Sequence, residues 1–130
     1  MFLVIVLDTS FLVSFYLTQD ENHENALKLA EENRSETMLL SEVILFETLA
    51  VLNYKGGLQL AKEAYDELMA NKQIRFFHFT ELEKDEITES FFQQTTKLSF
   101  QDVSVVYLAK KSKSKVLAFD DKILKEIGHE

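Results

Sequence analysis

Four carboxylates stand where a carboxylate has little structural reason to be. Asp8 closes the apolar run 2–7, Glu47 sits inside the run 43–52, Asp102 opens the run 103–109, and Asp120 ends the run 116–119. A charge in apolar surroundings is costly unless it is paired or bound to a cation. Four carboxylates that converge repel one another, and a hard divalent cation removes that repulsion while exploiting it. Oxygen-only ligation suits Mg²⁺ or Mn²⁺. Such a site favours hydrolysis of phosphodiesters, with one ion, or two roughly 4 Å apart, activating water and stabilising the leaving oxygen. Each acid also has a plainer reading. Asp8 and Asp120 suit helix N-caps, Asp102 suits the positive end of a helix dipole, and Glu47 fits a narrow exposed strip.

The chain that must bring these acids together has 130 residues, enough for a single domain over 1–130 and too few for two ordinary ones. It is 46% hydrophobic and 28% charged, which excludes a disordered chain or a fibrous repeat. The run 2–7 is far below the roughly 20 residues that span a bilayer and lacks the flanks of a signal peptide, so no membrane association is expected. Cysteine is absent, which removes disulfides, thiolate metal sites and thiol nucleophiles and fits a cytoplasmic protein. His23, His78 and His129 show no close metal-ligand spacing, leaving oxygen as the ligand. A net charge of −8 opposes broad attraction to a polyanion. A nuclease of this composition needs a cation at its site or a basic partner.

The β-branched run 2–7 has no polar face, as in a strand buried on both sides of a parallel sheet. A short helix over 11–17 follows, with Asp8, Thr9 and Ser10 available to cap it. A surface helix is expected over 21–33 and a short strand at 38–40. Ser41 caps a helix that carries Glu47 and ends at Gly56-Gly57. An amphipathic helix over 58–71, an aromatic strand at 74–79, a polar helix over 81–96 capped by Thr80, an apolar helix over 102–111, a strand at 115–119 and a terminal helix over 122–127 complete the chain. Alternating strands and helices point to an α/β fold with a parallel sheet, where ligands collect beyond the carboxyl ends of strands. Asp8 and Asp120 both fall there.

At these residues the sequence resembles a PIN-domain ribonuclease, most closely the small VapC-type toxins of toxin–antitoxin pairs. The resemblance covers essentially the whole chain and rests on the strand ending in Asp8-Thr9-Ser10, the Glu47 helix after Leu40-Ser41-Glu42, the 98–109 stretch with Asp102, and Val116-Leu117-Ala118-Phe119-Asp120-Asp121. It implies a three-layer α/β/α sandwich around a parallel sheet, a Mg²⁺- or Mn²⁺-dependent endoribonuclease, a homodimer, and neutralisation by a small antitoxin protein. Carried over by position, Asp8, Glu47, Asp102 and Asp120 form the catalytic, metal-binding quartet. Thr9 or Ser10 steadies a carboxylate or bound water, and Asp121 is auxiliary. The family often has a hydroxyl residue two positions before the last aspartate, where this chain has Ala118.

Lys122 and Lys125, just past Asp120, are placed to meet substrate phosphate, whereas the run 110–115 reads as a solvated helix end. Two other classes of function compete. A PIN-like fold could serve as a binding module with its acids kept as caps. A receiver-type phosphoacceptor also gathers acids at strand ends, but only Asp121-Lys122 echoes its pattern. A dehalogenase-like phosphatase wants an aspartate where Ser10 stands.

Overall fold

The computed structural model describes residues 4–127, so Phe2 and Leu3, assigned to the first strand, and His129 lie outside it. The order along the chain is β1 (Val4–Leu7), α1 (Thr9–Tyr16), α2 (His23–Glu32), β2 (Thr37–Ser41), α3 (Glu42–Gly56), α4 (Leu58–Ala70), β3 (Ile74–Phe77), α5 (Glu81–Gln93), α6 (Phe100–Ser112), β4 (Lys115–Leu117) and α7 (Asp121–Glu126). The strands form one parallel sheet in the order β3-β2-β1-β4, with Ile5 opposite Met38 on one side and Lys115 on the other. Helices flank this sheet in an α/β/α arrangement.

β1 is central for the reason its sequence suggests: Ile5, Val6 and Leu7 are buried, as are Leu40 of β2 and Val116 and Leu117 of β4. Burying side chains of this size contributes roughly 1.5–3 kcal/mol each. The aromatic strand is shorter than expected. It stops at Phe77 because His78 and Phe79 leave the sheet, and Phe79 turns into the main core.

Strand order reverses at β1: β2 and β3 lie on one side of it, β4 on the other. Right-handed crossovers then direct successive connections to opposite faces and open a crevice at the carboxyl ends of β1 and β4. α6 packs on β1 and β4 and also meets α3, so the helices carrying Asp102 and Glu47 converge near that end.

Side-chain caps start most of the helices that matter. Ser41 accepts from Ile44 N at 3.2 Å, and Thr80 forms a reciprocal box with Glu83. α3 differs from the sequence expectation of a helix with almost no solvent face. Phe46 is 62% exposed and Tyr54 89%, with exposed Ala50 between them, so an apolar stripe faces outward.

The α3–α4 hairpin packs through Leu52, Ala61 and Ala64 against Val13 and Leu17 of α1 and its C-cap. Its turn depends on Gly57, whose φ of +95° and ψ of 165° lie in a region essentially reserved for glycine. Nothing lies within 4 Å of the position a Cβ would take. Gly57→Ala is therefore expected to lower stability by about 1–3 kcal/mol through backbone strain alone. Urea denaturation measures this, and an unchanged midpoint would show that the turn relaxes freely.

Candidate active site

Asp8 leaves β1 and caps α1. Its Oδ2 accepts from Ser10 N at 3.0 Å and from Ser10 Oγ at 2.5 Å, while its own N–H donates to Leu117 O of β4 at 3.2 Å. Ser10 Oγ in turn accepts from Phe119 N at 2.8 Å. One hydroxyl thus joins the end of β1 to the residue before Asp120. Thr9 Oγ1 donates to Glu47 Oε1 at 2.5 Å and joins the same turn to α3.

Asp102 is the third residue of α6. Its N–H donates to Ser99 Oγ at 3.1 Å and its Oδ2 accepts from Ser99 N at 3.2 Å. Asp120 caps α7 by accepting from Lys122 N at 2.9 Å through Oδ1. The capping reading and the cleft reading of these acids are therefore compatible. In Asp8, Glu47, Asp102 and Asp120 alike, one carboxylate oxygen is held by a hydrogen bond, and the other has no donor among the described residues.

All four acids, together with Thr9 and Ser10, line one cleft of about 340 Å³. Asp121 does not line it, being exposed at the start of α7. Lys122 and Lys125 border a neighbouring cavity instead. A larger cavity of about 760 Å³ lies between α5 and α6 and contains none of the four acids.

Two acids of the cleft, Asp8 and Glu47, have raised carboxyls. Asp8, 2% exposed, has its carboxyl pushed up to about 6. Burial is the largest cause; the Ser10 hydrogen bonds oppose it, and the negative charges of Asp102 and Glu47 add to it. Glu47 is also raised, by burial first and by Asp102, against the pull of its Thr9 bond. Burial leads and neighbouring negative charge adds to it, so a cation placed beside Asp8 and Glu47 would favour their ionised forms.

The cleft also holds residues that the sequence reading passed over: Ser14, Asp20, Asn22, Val51 and Lys55. Asp20 accepts from Ser14 Oγ at 2.7 Å and Asn22 N at 2.9 Å. Its carboxyl carries a burial penalty, yet these bonds, with Lys55 and His23, hold it below its ordinary value. Lys55 is the only lysine or arginine in the lining. Glu47, Val51 and Lys55 recur at four-residue steps along α3, a helical stripe that was visible in the sequence.

A hard divalent ion fits this donor set in kind, since every candidate ligand is oxygen and the carboxyls of Asp8 and Glu47 are held above their ordinary values by burial and by nearby negative charge. Among the described residues, however, no three carboxylates or imidazoles are gathered closely enough to enclose an ion. Mg²⁺ is compatible with that spacing, because it retains several waters and needs only one or two direct carboxylates beside substrate phosphate.

Residues 5–130 match the PIN domain family. Among solved structures, VapC20 of Mycobacterium tuberculosis, a toxin that cleaves the sarcin–ricin loop, aligns with a TM-score of 0.84 at 23% identity, covering 93% of this chain and 93% of its own. VapBC2 of Rickettsia felis, solved with a DNA fragment from its promoter, gives 0.68 at 15% identity over 98% of this chain and 95% of that one. PAE2754 of Pyrobaculum aerophilum gives 0.65 at 16% identity, covering 99% and 90%. These likenesses are ones of fold. No curated protein matches the chain in sequence.

Proposed function

Because this chain belongs to the PIN-domain family, we propose that it is a Mg²⁺- or Mn²⁺-dependent endoribonuclease of the VapC toxin type, cutting RNA at the cleft of Asp8, Glu47, Asp102 and Asp120. The observation that carries this reading is the convergence of four carboxylates from three helix starts and the middle of α3 on one cleft, with Asp8 buried and penalised for its charge.

Asp8, Glu47, Asp102 and Asp120 would hold the ion through the oxygens that capping leaves free. When bound, the ion supplies an activated water and a counter-charge for the leaving oxygen. The chain's own residues prepare the site. Thr9 fixes the rotamer of Glu47, and Ser10 fixes Asp8 and the approach to Asp120 together. Lys55 is the positive group in the lining that can meet a phosphate of the substrate. Lys122 and Lys125 contact RNA beyond the cleft, and Asp121 acts only from outside it.

The same reading includes a cognate antitoxin, cytoplasmic action and a homodimer. The exposed Phe46, Ala50 and Tyr54 stripe supports pairing of two copies, since an apolar surface of this kind is usually covered. No helix among the described residues is long and apolar enough to cross a membrane.

Binding of an ion to the native state alone must stabilise it, by about 2.7 kcal/mol at a hundredfold excess over Kd. For a chain of this size that corresponds to a rise in melting temperature of roughly 10 °C. Mn²⁺ and Mg²⁺ are expected to produce such a rise in the wild type, with Glu47→Gln reducing both the rise and RNA cleavage. A melting temperature indifferent to either ion, with no cleavage, would leave a binding module as the better description.

A further inference from the structure

β4 ends the sheet, and its outer edge pairs with no strand among the described residues. Backbone groups of successive strand residues point alternately to the two sides. Leu117 O accepts from Asp8 N at 3.2 Å, so Leu117 faces β1 and Val116 turns its N–H and C=O outward. Ala118, just past the strand, has neither backbone group hydrogen-bonded among the described residues. Yet Val116 is only 5% exposed and Ala118 9%. Buried backbone groups are almost always paired, and an unpaired edge is a template for another strand. The edge lines a groove of about 380 Å³ together with Leu29 and Glu32 of α2 and Leu124 of α7. Unmet ladder groups between two leucines suit an extended segment, whereas a helix satisfies its own backbone.

We propose that this segment is β4 of a second copy of the chain, paired antiparallel about Leu117. The register follows from the outward groups. Val116 of each copy exchanges hydrogen bonds with Ala118 of the other, a two-fold arrangement in which every contact occurs twice. Charge selects the same arrangement. Lys115 then lies opposite Phe119 and Ser114 opposite Asp120, so the exposed Lys113 and Lys115 of each copy reach the end where the other carries Asp120 and Asp121. Lys113, Lys115 and Asp121 join no ion pair among the described residues. Parallel pairing of the same edges sets lysine against lysine and acid against acid, which is unfavourable.

This contact is separate from the outward stripe of α3, which packs chiefly on α1, α4, α6 and β2. It stands whether or not the chain cuts RNA. It also bears on the cleft. Bonds to Ala118 hold the approach to Asp120 from the outer side, while Ser10 Oγ holds Phe119 N at 2.8 Å from the β1 side.

The test uses the chain carrying Phe46→Ser and Tyr54→Ser, so that the α3 stripe does not contribute, and reads its mass by sedimentation over a range of concentrations. Amide exchange at Val116 and Ala118 is followed in parallel. A dimer is expected, with both amides exchanging at least about tenfold more slowly once it forms. Lys113→Glu with Lys115→Glu is expected to weaken the dimer by about tenfold or more, and Asp121→Lys added to that chain to restore much of the loss. The same reversal at Lys62 and Lys72, near the opposite edge of the sheet, is expected to change the dimer by no more than about twofold. A monomer at every concentration overturns the proposal. So does a dimer whose two amides exchange freely, or full protection of both amides in the dilute monomer, which would show the edge covered from within one chain.

Discussion

Asp8→Asn is expected to reduce RNA cleavage by at least about 10²-fold, on the order of 3 kcal/mol of transition-state stabilisation, while making the metal-free protein more stable at neutral pH. The second half of this outcome distinguishes a metal ligand from a cap. Asparagine caps helices as well as aspartate does, so the hydrogen bond from Ser10 N survives the change. What disappears is a buried charge.

The carboxyl of Asp8 moves from an ordinary value of 3.8 to about 6 in the folded chain, so the folded state binds this proton more tightly than the unfolded one. Stability is therefore highest below the unfolded value, falls as pH rises from 3.8 to about 6, and is flat above. The total loss is on the order of 3 kcal/mol. Glu47, raised in the same sense, adds to the fall, while Asp20 and Glu83, both lowered, act in the opposite direction at acid pH. The difference between wild type and Asp8→Asn isolates the single group. In EDTA that difference is expected to be near zero at acid pH and to reach roughly 3 kcal/mol in favour of the variant above neutrality, measured by urea denaturation at several pH values. A variant less stable at every pH would show that Asp8 is chiefly structural.

Ser10→Ala should produce the next largest effect, because one hydroxyl serves two partners. Its loss removes the acceptor of Phe119 N and a donor to Asp8. Leaving a partly buried N–H unpaired costs about 1–3 kcal/mol. With one donor fewer, the charged form of Asp8 is less favoured and its carboxyl moves still further up, so the acid limb of the cleavage pH profile shifts toward higher pH. Ser10→Thr keeps the hydroxyl and is expected to restore most of the profile. An alanine variant with an unmoved profile would confine Ser10 to stability. The Ser10–Phe119 bond also bears on Ala118, where a hydroxyl is absent. The segment before Asp120 is anchored from the β1 side, and the anchor is Ser10.

Much of this was legible in the sequence because the signals were local. An uninterrupted β-branched run can hardly be anything but a buried strand, and Asp8, Ser41 and Thr80 announce the helices after them with side chains that do cap. Boundaries slipped where tertiary packing decides. Phe79 belongs to the core and not to β3, although its aromatic neighbours suggested a longer strand. The outward face of α3 was misjudged because apolar residues were assumed to seek burial, whereas Phe46 and Tyr54 remain exposed on a single chain. The acids stood out because a charge inside an apolar run is conspicuous. Asp20, Asn22 and Lys55 did not, since they lie among other polar residues and gain meaning only when the 18–22 loop closes against α3.

The order of strands in the sheet has a consequence for synthesis on the ribosome. β1 is made first, yet one of its two neighbours, β4, is made last of the strands, and Asp8 N reaches across to Leu117 O. Folding of a nascent chain proceeds from its amino end as residues emerge. The partial sheet β3-β2-β1 can assemble early, but Phe119 and Asp120 cannot meet Ser10 and Asp8 until β4 has followed it. The cleft of the four acids is therefore the last part of this sheet to be completed, closed only when β4 docks beside β1.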